Sequence, residues 1–277
     1  MRITSYVIGF LSIVLFAWIS TNTVQRHNTH PSIGDTIQNN RELISSYSKR
    51  ISSCLSQDAH DDEITFREFS RIVVGVYDED DQSVHIWEND FAPLQERSTL
   101  QFLPVILYRS DGNLAKRLHG EFVYYGHSSN IFLPSIPMSD PWFCAFFKHE
   151  YFHAYRHRTR GGENFDSRSP QLLDEEVQAH ELTRAVLDTY TEGTYREQIL
   201  KLLQSSDKSL SGLQDAIAMH GAPARISNIF PNAKSPNEER MRRAQYLTDL
   251  TFIHIKTTGG GVEEKRHAYR ELVHRFR

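Results

Sequence analysis

The sequence predicts an α+β protein in which a small mixed or antiparallel sheet precedes a largely helical part. Short runs rich in β-branched and aromatic residues, separated by turn signals, occupy residues 64–134. From there on, apolar residues recur at intervals of three and four, first over 141–190 and then over 195–277. We therefore expect residues 41–277 to form a single domain with the sheet first and the helices after it.

The composition is that of a globular protein and argues against one class of partner. The 39% hydrophobic and 24% charged residues fall in the ordinary range for a packed domain. The net charge is −4 and no run of Lys or Arg is present, so we expect no nucleic-acid partner. The oligomeric state stays open. The two cysteines, Cys54 and Cys144, are too few for a disulfide scaffold, and they either pair outside the cytosol or remain free thiols.

The N-terminus has the pattern of a targeting segment. Arg2 precedes an apolar run from Tyr6 to Ile19, which fits a signal-peptide core and is short for a membrane span. No clean pair of small residues marks a cleavage site, so residues 1–20 are either a signal peptide or an N-terminal membrane anchor. Residues 21–40 are polar and are predicted to be a linker, and residues 41–57 have helical spacing. We expect a membrane-anchored or exported protein whose domain is extracytoplasmic.

The predicted strands lie at residues 71–77, 83–87, 100–108, 121–125 and 130–133. The first two flank an acidic turn and are expected to form a hairpin. The last strand comes directly before the next helix and is followed by a proline, which suits the edge of a sheet. Such an edge can pair with an extended peptide, although an ordinary strand without a ligand fits the pattern equally well.

One pentapeptide indicates a metal site: His149-Glu150-Tyr151-Phe152-His153. Asp140 and Pro141 are suited to the start of a helix, and residues four apart on a helix lie on one face, about 6 Å from each other. Two imidazoles so placed can hold one Zn²⁺, with the glutamate beside the metal-bound water. His157 cannot share that ion, because it lies about 12 Å further along the axis than His149. The alternative interpretation is a core helix with two hydrogen-bonded histidines.

A catalytic zinc ion takes three protein ligands, so a third has to be found. Ser169 and Pro170 suit the start of a second helix, which is predicted to run to about Tyr190. On this helix Glu176 falls about 30° from the centre of the apolar face, and Glu175 falls about 70° away on its other side. A carboxylate directed at the core needs a cation, so we predict Glu176 as the third ligand and keep Glu175 as the alternative.

At this point the sequence resembles the gluzincins, the thermolysin-like zinc metallopeptidases. The similarity is carried by the pentapeptide and by Glu176-Val177-Gln178-Ala179, and it covers roughly residues 120–190. It implies a zincin-like, two-helix zinc site under an edge strand, and hydrolysis of peptide bonds. One departure is His180, which stands where an acidic residue often orients a ligand histidine. That orienting contact is expected from Asp174 or a backbone carbonyl.

The implied function is a zinc-dependent peptidase that acts on protein or peptide substrates. His149, His153 and Glu176 would hold Zn²⁺, and Glu150 would serve as general base toward the metal-activated water. A further donor to the oxyanion is expected, and the candidates are His180, His220, Tyr190 and Tyr195.

Two other functions remain open. A non-catalytic, membrane-anchored zinc- or peptide-binding module would close the site with a fourth ligand, for which His180 is available. A zinc hydrolase of a non-peptide amide would use the same residues as the peptidase. The basic helix at 262–277 is expected to be a solvated face, with contact to an anionic membrane surface as a minor alternative.

Overall fold

The computed structural model describes residues 31–56, 71–79, 82–86, 102–126, 129–162 and 169–276. The predicted signal or anchor at 1–20 lies outside these residues. Within them, no helix has the length and hydropathy needed to cross a membrane. Helix α1 (Pro31–Ser56) begins at Pro31 rather than at residue 41, so half of the predicted linker is helical. The polar composition of that half did not reveal it, but proline is well tolerated in the first turn of a helix.

The sheet has five described strands: β1 (Arg71–Asp78), β2 (Ser83–Ile86), β3 (Phe102–Tyr108), β4 (Val123–Tyr125) and β5 (Asn130–Pro134). Their order across the sheet is β2-β1-β3-β5-β4. The predicted hairpin of β1 and β2 is confirmed, and β1, β3 and β5 run parallel to one another while β4 is antiparallel to β5. The sheet is therefore mixed, and a short unpredicted helix, α2 (Asn113–Arg117), follows β3.

The prediction that residues 130–133 form the sheet edge is wrong. Strand β5 pairs with β3 on one side and with β4 on the other, and all five of its residues are buried. The reason is the tight turn after β4, where the Ser129 amide donates to the carbonyl of Gly126 at 3.1 Å. This turn folds β4 back along β5, so that β4 is the outermost of the described strands on this side.

The remaining helices are α3 (Asp140–Thr159), α4 (Pro170–Tyr190), α5 (Thr194–Ser205), α6 (Leu210–His220), α7 (Ala224–Ser227), α8 (Pro236–Thr257) and α9 (Val262–Phe276). The predicted helical C-terminal part is confirmed. At the start of α4 the Ser169 hydroxyl accepts the Leu172 amide at 3.1 Å and Pro170 is in the first turn, as expected. At the start of α3 the cap is Ser139, one residue before the predicted Asp140.

Aromatic packing fixes α3 against the C-terminal helices. Trp142 is fully buried, and its ring lies 5.1 Å from Phe230, 5.3 Å from Tyr246 and 6.5 Å from Tyr195. Burial of such rings supplies a large apolar contribution and a defined geometry. The turn of α3 that carries the pentapeptide is therefore held by packing that begins two turns earlier.

A disulfide joins Cys54 in α1 to Cys144 in α3, which decides between the two alternatives for the cysteines. Both residues are buried. The bridge closes a segment with a sequence separation of 90 residues. Cross-links of this kind typically stabilise a fold by about 2–4 kcal/mol. The N-terminal helix is thus covalently tied to the helix that bears the histidines.

Candidate metal centre

Three predicted ligands come together between α3 and α4. The Nε2 atoms of His149 and His153 are 3.3 Å apart. Glu176 Oε2 lies 3.6 Å from His149 Nε2, and Glu176 Oε1 lies 3.7 Å from His153 Nε2. Among the described residues this is the one group of three or more His, Cys, Asp or Glu side chains placed to hold a metal ion.

The spacing of the three side chains suits a small tetrahedral ion. Zinc bonds of about 2.0–2.1 Å to nitrogen and oxygen imply ligand-to-ligand separations of about 3.4 Å around a tetrahedron. The observed separations of 3.3, 3.6 and 3.7 Å lie close to that value. The group can therefore hold a metal ion without a large movement of either helix.

Glu175, the alternative ligand, lies on the far side of the His153 ring. Its Oε1 is 2.8 Å from His153 Nδ1, and its other carboxylate oxygen accepts a hydrogen bond from Arg160. Glu175 is therefore a partner that orients a ligand histidine and not itself a member of the metal-holding group. The orienting contact expected from Asp174 is absent, because Asp174 binds Arg266 at 2.5 Å instead.

The ring of His149 is oriented by the hydroxyl group of Thr183. His149 Nδ1 lies 3.1 Å from Thr183 Oγ1, whose own hydrogen is donated to the Ala179 carbonyl at 2.9 Å. Thr183 must therefore accept from His149, so Nδ1 carries the hydrogen and Nε2 carries a lone pair. His153 Nδ1 faces a carboxylate and therefore carries a hydrogen as well. If both rings were neutral, their two Nε2 lone pairs would face each other at 3.3 Å and repel, so a proton or a metal ion is needed between them.

The shifts in the pKa of His153 and Glu176 agree with this need for a positive charge. Burial by itself lowers the pKa of His153, but the charge of Glu176 and the hydrogen bonds to Glu175 and Glu176 outweigh it and raise that pKa to about 10. Burial raises the pKa of Glu176, yet the two imidazoles hold it well below its usual range. Without a metal a proton supplies the missing charge, and a metal ion has to displace it.

Glu150 is held beside the metal-holding group by β4, the outermost of the described strands on this side. Its Oε2 accepts the backbone amide of Tyr124 in β4 at 2.5 Å. Burial raises the pKa of Glu150, while the two nearby imidazoles oppose the shift. The Tyr124 hydroxyl is 2.7 Å from His157 Nδ1. His157, which lies too far along α3 to be a ligand, therefore helps to hold β4 against α3.

His180 is the oxyanion candidate that lies next to the site. Its ring centroid is 4.7 Å from that of His149, and its Nδ1 is 2.8 Å from Gln245 Oε1. It does not belong to the metal-holding group of described residues, so the structure gives no support to His180 as a fourth ligand.

The other three oxyanion candidates lie elsewhere. The Tyr195 hydroxyl is fully buried and donates to Asp249 at 2.7 Å. His220 is exposed at the end of α6, and Tyr190 packs against the main hydrophobic core. The structure does not bring them to the metal-holding group.

Sequence reasoning missed several residues of the site. Thr183 is seven residues after Glu176, two turns along the same face of α4, so its spacing was available as a signal. Tyr124 reaches Glu150 through a backbone amide, which no sequence pattern encodes. Tyr269 in α9 donates to Glu176 Oε2 at 3.2 Å, although the two residues are distant in sequence. A contact between residues so far apart in sequence can be identified only from the tertiary structure.

Replacing Glu175 with Gln should weaken metal binding by about 10–100-fold, the usual cost of losing a partner of a ligand histidine. The amide is a weaker acceptor for His153 Nδ1 than the carboxylate, and it removes the negative charge that Glu175 presents to the Arg160 guanidinium. The measurement is a competition titration with a chelator. Glu192→Gln, an exposed position just after α4, is the control. Equal affinities of the two variants would contradict the role given to Glu175.

Comparisons with protein-family models, with curated proteins and with solved structures gave no match. Any functional assignment therefore depends on the residues of the site and their geometry. These residues form a buried group that can hold a metal ion, with Glu150 adjacent to it.

Proposed function

We propose that the protein is a zinc-dependent peptidase of the gluzincin type. His149, His153 and Glu176 would hold the ion, and Glu150 would act as general base. The observation that carries the proposal is the pair of imidazole Nε2 atoms at 3.3 Å, both with their Nδ1 atoms engaged as donors and with a carboxylate closing the triangle.

The donor set favours zinc over other common ions. Two imidazoles and one carboxylate are the ligands of many catalytic zinc sites, whereas Mg²⁺ and Ca²⁺ prefer oxygen donors. When bound, such an ion polarises a carbonyl group and lowers the pKa of a coordinated water to about 7. Among the described residues the group has three members and not four. Three ligands favour a catalytic site, since a closed structural site is normally completed by a fourth protein ligand.

Two observations support Glu150 as the general base. It follows His149 directly, and the Tyr124 amide holds its carboxylate at 2.5 Å. Because burial raises its pKa, the carboxylate accepts a proton more readily than an exposed one. Glu150 would take a proton from the attacking water and pass it to the leaving amine.

A peptide is the substrate class that the surroundings support best. Strand β4 is the outermost described strand next to Glu150, and an extended chain can add to such a strand by main-chain hydrogen bonds. The buried Cys54–Cys144 disulfide is typical of proteins outside the cytosol. Together with the targeting pattern of residues 1–20, it supports an exported or membrane-anchored peptidase, attached to the membrane through that segment.

The experiment is a hydrolysis assay of the purified chain with a broad peptide library and casein, loaded with one equivalent of Zn²⁺. We expect cleavage of peptide bonds that stops on chelation and returns on addition of zinc. A protein that binds one zinc ion tightly and cleaves no member of the library would contradict the peptidase assignment. It would leave the binding module and the hydrolase of a non-peptide amide.

A further inference from the structure

The C-terminal helix α9 is fastened along the metal-site helix α4 by two ion pairs. Lys265 Nζ lies 2.5 Å from Glu181 Oε1, and Arg266 contacts both carboxylate oxygens of Asp174, at 2.5 and 3.0 Å. Partly exposed pairs of this kind contribute little stability by themselves. Their position on α4 matters more, because Asp174 and Glu181 lie on either side of Glu176. The two pairs therefore fix how α9 is aligned along this part of α4. The basic residues of 262–277 were expected to form a solvated face, but Lys265 and Arg266 pair with carboxylates of α4 instead.

Tyr269, three residues after Arg266 on α9, contacts α4 at Glu176, which lies between the two residues of α4 that form these ion pairs. Its hydroxyl donates to Glu176 Oε2 at 3.2 Å, and this is the oxygen that lies 3.6 Å from His149 Nε2. The Tyr269 ring centroid is also 5.1 Å from that of His180, which in turn packs 4.7 Å from His149. Tyr269 therefore contacts one ligand directly and supports a second through His180.

Glu176 is the ligand most in need of such a restraint. Its side chain is 26% exposed, against 11% for His149 and 9% for His153. A glutamate side chain has more rotatable bonds than an imidazole, so fixing it costs more conformational entropy. A hydrogen bond from a buried phenol limits that freedom before the ion arrives.

We propose that α9 is a clamp on the metal site and that Tyr269 is a positioning residue which holds the Glu176 carboxylate in its ligand orientation. The proposal deepens the proposed function and depends on it. It assigns the C-terminal helix a part in metal binding that the pentapeptide and the Glu176 helix do not reveal.

The test compares Tyr269→Phe with Tyr47→Phe in the full chain. Both tyrosines are 7% exposed, and the Tyr47 hydroxyl bonds a backbone carbonyl at 3.4 Å, away from the metal-holding group. Zinc affinity is measured by competition with a chelator, and the visible spectrum of the Co²⁺ form reports the geometry at the ion. We expect Tyr269→Phe to bind zinc about 10–100-fold more weakly and to change the Co²⁺ spectrum. Tyr47→Phe should match the wild type in both measurements.

A zinc affinity of Tyr269→Phe within about twofold of the wild type, far from the usual effect of losing such a partner, overturns the clamp. Should that variant fail to fold, Lys265→Gln combined with Arg266→Gln loosens α9 while keeping Tyr269. It should also weaken zinc binding, and unchanged affinity overturns the clamp as well. Tight zinc binding by the wild type in either case leaves the proposed function standing. A wild-type chain that binds no zinc refutes both proposals together.

Discussion

Glu150→Gln should keep the metal ion and lose peptide hydrolysis by about 10²–10⁴-fold, the usual contribution of a general base. The amide has nearly the shape of the carboxylate, and its oxygen can still accept the Tyr124 amide that now bonds Glu150 at 2.5 Å. It cannot, however, take a proton from water near neutral pH. Glu150 lies outside the metal-holding group, so zinc affinity should stay close to that of the wild type.

The measurement pairs the turnover number with the zinc content of the same preparation. A full complement of zinc with lost turnover supports the assigned role. Glu192→Gln, at an exposed position just after α4, controls for a general effect of removing a carboxylate. Retention of full turnover by the Glu150 variant would mean that another group moves the proton.

Glu176→Gln should abolish tight metal binding. The substitution removes the only negative charge among the three ligands, while the two imidazoles remain oriented by Thr183 and Glu175. We expect an affinity loss greater than the about 10–100-fold that follows from removing an outer partner such as Glu175. Hydrolysis should disappear at the same time because it needs the bound ion.

Comparing Glu176→Gln with Glu175→Gln distinguishes a residue that binds the metal ion from one that orients a ligand histidine. Both positions are adjacent on α4, and both side chains contact His153. A larger loss at position 175 than at position 176 would reverse their assignment. The readout is the zinc dissociation constant from chelator competition at one fixed pH.

Much of the fold could be predicted from local pattern. The β1–β2 hairpin follows from two apolar runs around an acidic turn, and the start of α4 follows from Ser169 and Pro170. The angle of Glu176 on the helical wheel placed it on the side where the histidines lie. In each case the information is contained within a few neighbouring residues.

The parts that were missed or wrong depend on how distant segments meet. Whether β5 or β4 forms the edge is decided by the direction of pairing across the 126–129 turn, which the strand sequences do not reveal. Glu175 was kept as an alternative ligand because a helical wheel gives only its angle on α4. The wheel does not give the position of Arg160, which follows the last residue of α3 and binds Glu175. Tyr269 meets Glu176 because α9 lies along α4, and the sequence of neither helix reveals that packing.

Anomalous diffraction at the zinc edge from a crystal of the zinc-loaded chain locates the ion relative to α3 and α4. We expect one peak within about 2.3 Å of His149 Nε2, His153 Nε2 and a carboxylate oxygen of Glu176, with fewer than four protein ligands. A peak elsewhere, a site closed by a fourth protein ligand, or no peak between α3 and α4 would refute the proposed catalytic zinc site.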